Sequence, residues 1–244
     1  MREYLSATRH PFVCLLFVVP LVAVYEYGVH ALGGDRPETL RNGADAWLRW
    51  GLEKYGLVQI WVAPLIVVGF FFLWSAASWG SRPKEPLAAL FGMLIECGLF
   101  AGILWAVSAN FRPILDRLGI ELAMAGDGPW HQSAQARMMV RYVGAGIYEE
   151  VIFRLGLFTL IYFLLRIALL PSALAGLLAA IAAALLFAAA HHVGDNGETP
   201  IVPLRFAFRA VAGLYFTLLY VGRGFGIAVG THAAYDVLVG LSNP

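Results

Sequence analysis

Charged side chains are scarce in this sequence: Asp, Glu, Lys and Arg make up 14% of 244 residues, against roughly 25% in a soluble globular domain. With 60% hydrophobic residues and a mean hydropathy of +0.72, the chain reads as an integral, multi-pass membrane protein with lipid as one of its partners. Basic runs and a Lys-rich tail are missing and the net charge is +1, so nucleic acid is not an expected partner. Cysteine is limited to Cys14 and Cys97, both in apolar segments, which leaves no disulfide framework and no metal knuckle. The H-E-x-x-H spacing of ordinary zinc proteases is absent, as is a serine or cysteine nucleophile with a partnered base. No internal repeat or low-complexity tail is evident. A cleavable signal peptide is not expected either, because the apolar run after His10 is too long for one and lacks a small-residue cleavage site.

What the chain does have is a succession of apolar windows, each near the ~20 residues that cross a hydrocarbon core. The first runs from Pro11 to Leu32, with Glu26 toward its end. A polar connection over 33–55 follows, where Trp47, Leu48, Trp50 and Leu52 beside Arg49 and Lys54 suggest a helix in the headgroup region. Further spans are expected near Leu57–Trp79 and, after the Arg82-Pro83-Lys84-Glu85-Pro86 turn, near Leu87–Asn110, which carries Glu96. Leu115, Leu118 and Leu122 suggest a second interfacial helix, ended by Asp127-Gly128-Pro129. The apolar run from Met138 to Leu170 is too long for one upright span, so it forms two elements or one long tilted helix. Pro171 and Ser172 restart a helix into an Ala-rich segment ending at His192, whose alanines suit the middle of a bundle. After the polar Gly194–Glu198 loop, spans over Ile201–Val221 and Phe225–Leu241 complete an all-α transmembrane bundle of seven to eight spans. It is expected to be one domain over 1–244. Arg2 and Arg9 with Arg82 and Lys84 favour a cytoplasmic N-terminus, although the 33–55 connection carries four basic residues of its own.

Within this apolar background, Glu149, Glu150 and Arg154 put three charges into six residues. Each costs roughly 2.5–3.5 kcal/mol at the bilayer centre on insertion scales, so function is the default reason for them. On a helix Glu150 lies over Arg154 and can pair with it, while Glu149, about 100° away, is left free to face a cavity. A carboxylate in such a poorly solvated place is suited to taking and returning a proton near neutrality. The bland alternative is that both acids belong to a structural ion-pair network.

Two further polar groups lie on other spans. Phe187 stands one turn behind His191, so that its ring can wall the imidazole. His232 and Asp236, four residues apart, share a face of the last span. Each histidine alone reads as an interfacial or satisfied core residue, but a carboxylate, two histidines and a fourth polar group can converge only in the bundle interior. Two chemistries are open. Glu149, His191 and His232 could hold a zinc ion. Alternatively, Glu149 with help from His191 could deprotonate a water while His232 stabilises the oxyanion.

The pattern Glu149-Glu150-x-x-x-Arg154, Phe187-x-x-x-His191 and His232-x-x-x-Asp236 resembles the three motifs of the CAAX-protease and bacteriocin-processing family, which includes the endopeptidases that trim prenylated proteins and many bacterial relatives. Residues 1–135 share only hydrophobicity with it. The motif-bearing part lies within 138–241. The resemblance implies an intramembrane endopeptidase acting near the C-terminus or membrane-embedded end of a protein or peptide, lipidated or not, in a bacterial inner membrane. It further implies that Glu149 and His191 activate water, that His232 and residue 236 form the oxyanion side, and that Glu150 and Arg154 are the structural pair. The family has been described both as metalloproteases and as metal-independent glutamate proteases. The second is preferred here, with no cofactor.

Asp236 departs from the Asn of the CAAX endopeptidases proper. An amide can donate to an oxyanion and an ionised carboxylate cannot, so Asp236 is either protonated or orients His232 by accepting a hydrogen bond. That departure puts prenylated substrates in question. The rival readings are a non-catalytic scaffold or immunity factor and an ion or metal transporter; the broken-helix symmetry of transporters is not visible. Arg205 and Arg209 share a face and could bind a substrate carboxylate, or snorkel. Glu96 is either a structural residue or a third acid of the cavity. One conflict stands in the hydropathy reading: His191 at the end of its span and His232 about seven residues into the last span should differ in depth by more than a shared site allows.

Overall fold

A computed structural model describes residues 2–120, 135–193 and 201–242. Among the described residues there is helix and no strand. The helices are α1 (Arg2–Arg9), α2 (Pro11–Leu32), α3 (Gly43–Glu53), α4 (Val62–Ala77), α5 (Pro86–Arg117), α6 (Gln135–Glu150), α7 (Thr159–Ile167), α8 (Ser172–Ala190), α9 (Pro203–Arg223) and α10 (Phe225–Ser242), and Val151–Phe158 joins α6 to α7 in wide π-helical turns. Five of these, α2, α5, α8, α9 and α10, are long and apolar enough to cross a membrane, and α4 is a shorter apolar helix. Taken with the composite helix from Gln135 to Ile167, they give seven candidate spans.

Prolines open most of the long helices: Pro11, Pro86 and Pro203 sit in the first turn of α2, α5 and α9, where a missing N–H costs nothing. Helix α2 is further capped by the His10 ring, whose Nδ1 accepts from the Phe12 amide at 3.2 Å. The run from Met138 to Leu170 resolves into one long helix with a π-helical middle. Such widened turns recur at functional sites, and this one begins directly after Glu150.

Two expectations are corrected. Residues 111–117 do not start a separate interfacial helix but continue α5, a single helix of 32 residues. Phe111 packs edge-on against Phe208 of α9 at 5.3 Å, which holds this end against the bundle. The Leu122 and Asp127–Pro129 part of that expectation lies outside the described residues, as does the Gly194–Glu198 loop. Nor is the Ala-rich α8 central. Its alanines Ala175, Ala179 and Ala183 are buried along one stripe, while Leu174, Leu177, Ile181 and Leu185 are exposed, so it presents one face to the bundle and the other to lipid.

The central helix is α10. Every residue from Phe225 to Ala233 is buried, and its side chains enter three apolar clusters: Phe225 and Val229 with α2, α4 and α6, Ile227 with α2 and α5, and Ala228 and Tyr235 with α5 and α9. Without a hydrophobic drive between helices in lipid, close backbone approach is what holds such a bundle together. Small residues Gly226, Ala228, Gly230 and Ala233 supply it here. The outward faces of α4 and α5, with Phe72, Leu73, Phe91 and Leu94, are exposed and apolar, as a lipid-facing surface requires.

Candidate active site

The two glutamates are brought to α10 by a missing side chain. A Cβ on Gly146 of α6 would stand 2.8 Å from the Val229 carbonyl oxygen and the Ala233 nitrogen of α10, so only glycine permits this approach. One residue before Ala233, His232 donates from Nδ1 to Glu150 Oε1 at 2.7 Å. Glu150 and Arg154 are 0% and 1% exposed, and Arg154 Nη1 lies 3.0 Å from the same Oε1. That contact is an ion pair without hydrogen-bond alignment; the aligned bond of Arg154 runs from Nη2 to the Gly213 carbonyl at 3.2 Å. The guanidinium is also sandwiched, 4.5 Å from the Phe187 ring centre and 5.3 Å from that of Phe216, which partly replaces lost hydration. Glu150 therefore serves two partners, Arg154 and His232.

Glu149 points elsewhere, as helix geometry requires, and is 13% exposed. Its Oε1 accepts from Asn42 Nδ2 at 3.0 Å. Its Oε2 faces two imidazoles, 3.7 Å from His232 Nε2 and 4.0 Å from His191 Nε2. His191 follows the last turn of α8, with Nδ1 2.9 Å from the Phe187 carbonyl. A carbonyl only accepts, so this nitrogen carries the proton, and a neutral His191 turns an Nε2 lone pair toward Glu149. The Phe187 ring walls His191 edge-on at 4.9 Å, and Phe216 stacks on His232 at 4.3 Å.

The conflict over depth disappears because α8 stops short. Ala184 of α8 meets Gly213 of α9, where an added Cβ would lie 3.0 Å from Ala184. From that level α8 continues about two turns to His191, whereas α9 reaches back about three turns to Pro203, so α8 ends roughly 4–5 Å deeper than α9 begins. The His191 ring also folds back one turn over Phe187, whose ring is 6.0 Å from that of His232.

A cavity of about 630 Å³ contains the constellation. Glu149, His191, His232 and Asp236 line it together with Arg205 and Arg209, and Asn42, Arg112, Arg141 and Tyr142 are further polar members. Arg209 is within electrostatic reach of both Asp236 and His191. Asp236 Oδ2 is 3.6 Å from His232 Nε2, beyond hydrogen-bond length. The acceptor that orients His232 is therefore Glu150 and not Asp236. Glu96 is not part of the cavity; it forms a bidentate pair with Arg223 at 2.6–3.2 Å, which fits the structural reading. Among the described residues no group of three His, Cys, Asp or Glu side chains is spaced to hold a metal ion.

Sequence reasoning missed a buried network beside the site. Glu26 of α2 pairs with Arg41 at 3.1 Å and Arg49 at 3.0 Å, and Asp45 pairs with the same two arginines at 2.8 and 2.7 Å. Tyr148, next to Glu149 in the chain, donates to Glu26 at 3.1 Å, and Tyr25 donates to Asp45 at 2.9 Å. Burial opposes the charge on Arg41, but hydrogen bonds to Glu26 and Asp45 outweigh it and hold the guanidinium above its ordinary range. Two of the four basic residues of this connection are thus turned inward and are not headgroup anchors. Two sequence signals were available: Asn42 before Gly43-Ala44-Asp45 reads as a helix cap, and Arg41, Asp45 and Arg49 stand at i,i+4 spacing; neither pointed to Glu149.

Comparison with known proteins bears on the same residues. Residues 132–238 match the family described as type II CAAX prenyl endopeptidase Rce1-like, a segment that contains Glu149, Glu150, Arg154, His191, His232 and Asp236. The chain matches no curated protein and no solved structure.

Proposed function

From the match of residues 132–238 to the family described as type II CAAX prenyl endopeptidase Rce1-like, we propose an intramembrane endopeptidase in which Glu149 and His191 activate water. That match and the long apolar helices support a CAAX-type protease of the membrane acting on a protein or peptide; the roles of the residues, the lipid state of the substrate and placement in a bacterial inner membrane go beyond it. The observation that carries the reading is the convergence of Glu149 Oε2 on the Nε2 atoms of His191 and His232 at 4.0 and 3.7 Å inside a cavity. The first gap is too long for a direct hydrogen bond and is a width that one water spans with two bonds of ~2.8 Å.

In the proposed reaction that water gives one proton to Glu149 while its oxygen adds to the scissile carbonyl. The oxyanion forms on the side of His232 and Asp236, where His232 as an imidazolium, its Nδ1–H on Glu150, would donate from Nε2–H. Collapse breaks the C–N bond, and Glu149 returns the proton to the leaving nitrogen. Glu150 and Arg154 take no proton in this scheme. They fix the His232 ring through its Nδ1 and keep a buried charge paired. Arg205 and Arg209 line the cavity, and in this scheme they would receive a carboxylate at the substrate's C-terminal end.

The test uses purified protein in detergent with two matched peptides ending in a CAAX box, one farnesylated and one bare. Cleavage of either is expected to be lost in Glu149→Gln and His191→Ala at unchanged folding. Full activity in either variant overturns the assignment, and the faster-cleaved peptide of the two reports whether the substrate is lipidated.

A further inference from the structure

Among the described residues, Asn42 is the one side chain outside the family-matched segment that bonds directly to the proposed base. We infer that Asn42 is a positioning residue for Glu149, held in place by the Glu26–Arg41–Asp45–Arg49 network; this rests on the proteolytic reading above.

Three observations carry it. First, the amide cannot turn round: Asn42 Oδ1 accepts from the Ala44 amide at 2.8 Å as the cap of α3, so Nδ2 is the atom that faces Glu149 Oε1 at 3.0 Å. Second, this bond selects an oxygen. With Oε1 held by Asn42, Oε2 is the atom presented to His191 and His232, which is the geometry the water step needs. Third, the cap is anchored at both ends. The Asn42 backbone amide donates to Tyr25 Oη at 3.0 Å, and Tyr25 donates to Asp45 at 2.9 Å. Asp45 and Glu26 share Arg41 and Arg49, and Glu26 accepts from Tyr148, the neighbour of Glu149. A closed circuit of hydrogen bonds thus fixes the loop relative to the base. Asp45 is 0% exposed and Glu26 5%, and such buried ionic groups specify one arrangement only when all are satisfied together.

The two jobs of Asn42 can be separated chemically. Serine caps a helix about as well as asparagine but has no amide to reach Glu149, and aspartate caps as well but sets a carboxylate against it. The experiment compares wild type, Asn42→Ser, Asn42→Asp and Glu149→Gln, first by the membrane-protein termini each generates in cells. A peptide spanning the site so identified then gives kcat and KM, and thermal unfolding in detergent gives Tm. Asn42→Ser is expected to keep its Tm and KM and to lose roughly 10- to 100-fold in kcat, the size of effect that misplacing a reacting group produces. Asn42→Asp should lose at least as much. Wild-type kcat in Asn42→Ser, with Glu149→Gln inactive, overturns the inference alone. Loss of kcat accompanied by a collapsed Tm also overturns it, because the residue is then only structural. Identical termini from wild type and Glu149→Gln remove the proteolytic reading, and this inference with it.

Discussion

Glu149 and Glu150 share a peptide bond, yet one faces a cavity and the other is fully buried against Arg154 and His232. The buried one sets the stability prediction. Removing one partner of a buried pair costs about 3–5 kcal/mol, and Arg154→Ala would leave the buried Glu150 dependent on His232; the variant is therefore expected to lower the melting temperature in detergent by several degrees, and an unchanged Tm would contradict the pairing. Asp236 sets the chemical prediction. An ionised carboxylate cannot donate to an oxyanion and an amide can, so Asp236→Asn should keep or raise the cleavage rate. Abolished cleavage in that variant would mean that the carboxylate itself is needed. These residues were readable in the sequence because charge inside apolar runs is expensive and therefore conspicuous. The second partner of Glu150 was not: its contact with His232 joins residues far apart in the chain, and helical spacing reports only neighbours on one helix.

At the scale of elements, the site depends on how closely α6 and α10 approach at Gly146. A Cβ there would meet backbone at 2.8 Å, whereas a Cβ on Gly98 of α5 meets nothing within 4 Å. Overpacking of this kind costs about 1–3 kcal/mol, so Gly146→Ala should lower both Tm and activity while Gly98→Ala, measured alongside, changes neither. Equal behaviour of the two would show that the contact does not set the geometry. The succession of apolar windows announced the helices themselves. Two features of their arrangement were hidden for definable reasons. Helix α8 looks central because alanine packs closely, but its alanines form a stripe and its leucines face outward. The depth of His191 seemed wrong because hydropathy marks where a span is apolar and not where its backbone stops relative to its neighbours.

Across the whole molecule, the part that resembles nothing by motif supports the part that does. Residues 132–238 carry the proposed base, the two histidines and Asp236, but Asn42 and Arg112, from the first half, also line the cavity. The expected helix of the 33–55 segment is present as α3, and the segment turns Arg41 and Arg49 inward to Glu26 and Asp45. Arg41, Asp45 and Arg49 stand four residues apart, a spacing legible in the sequence, but Glu26 on α2, which shares both arginines, and Tyr148 on α6, which donates to Glu26, are distant in the chain, so that spacing alone does not announce the inward turn. The central claim, that Glu149 drives proteolysis in the membrane, is tested most directly by comparing membrane-protein termini by mass spectrometry between cells carrying wild type and cells carrying Glu149→Ala. The account predicts new C-terminal or juxtamembrane ends with wild type alone, and any lipid mass on them identifies the substrate class. Identical termini at equal protein abundance would contradict it.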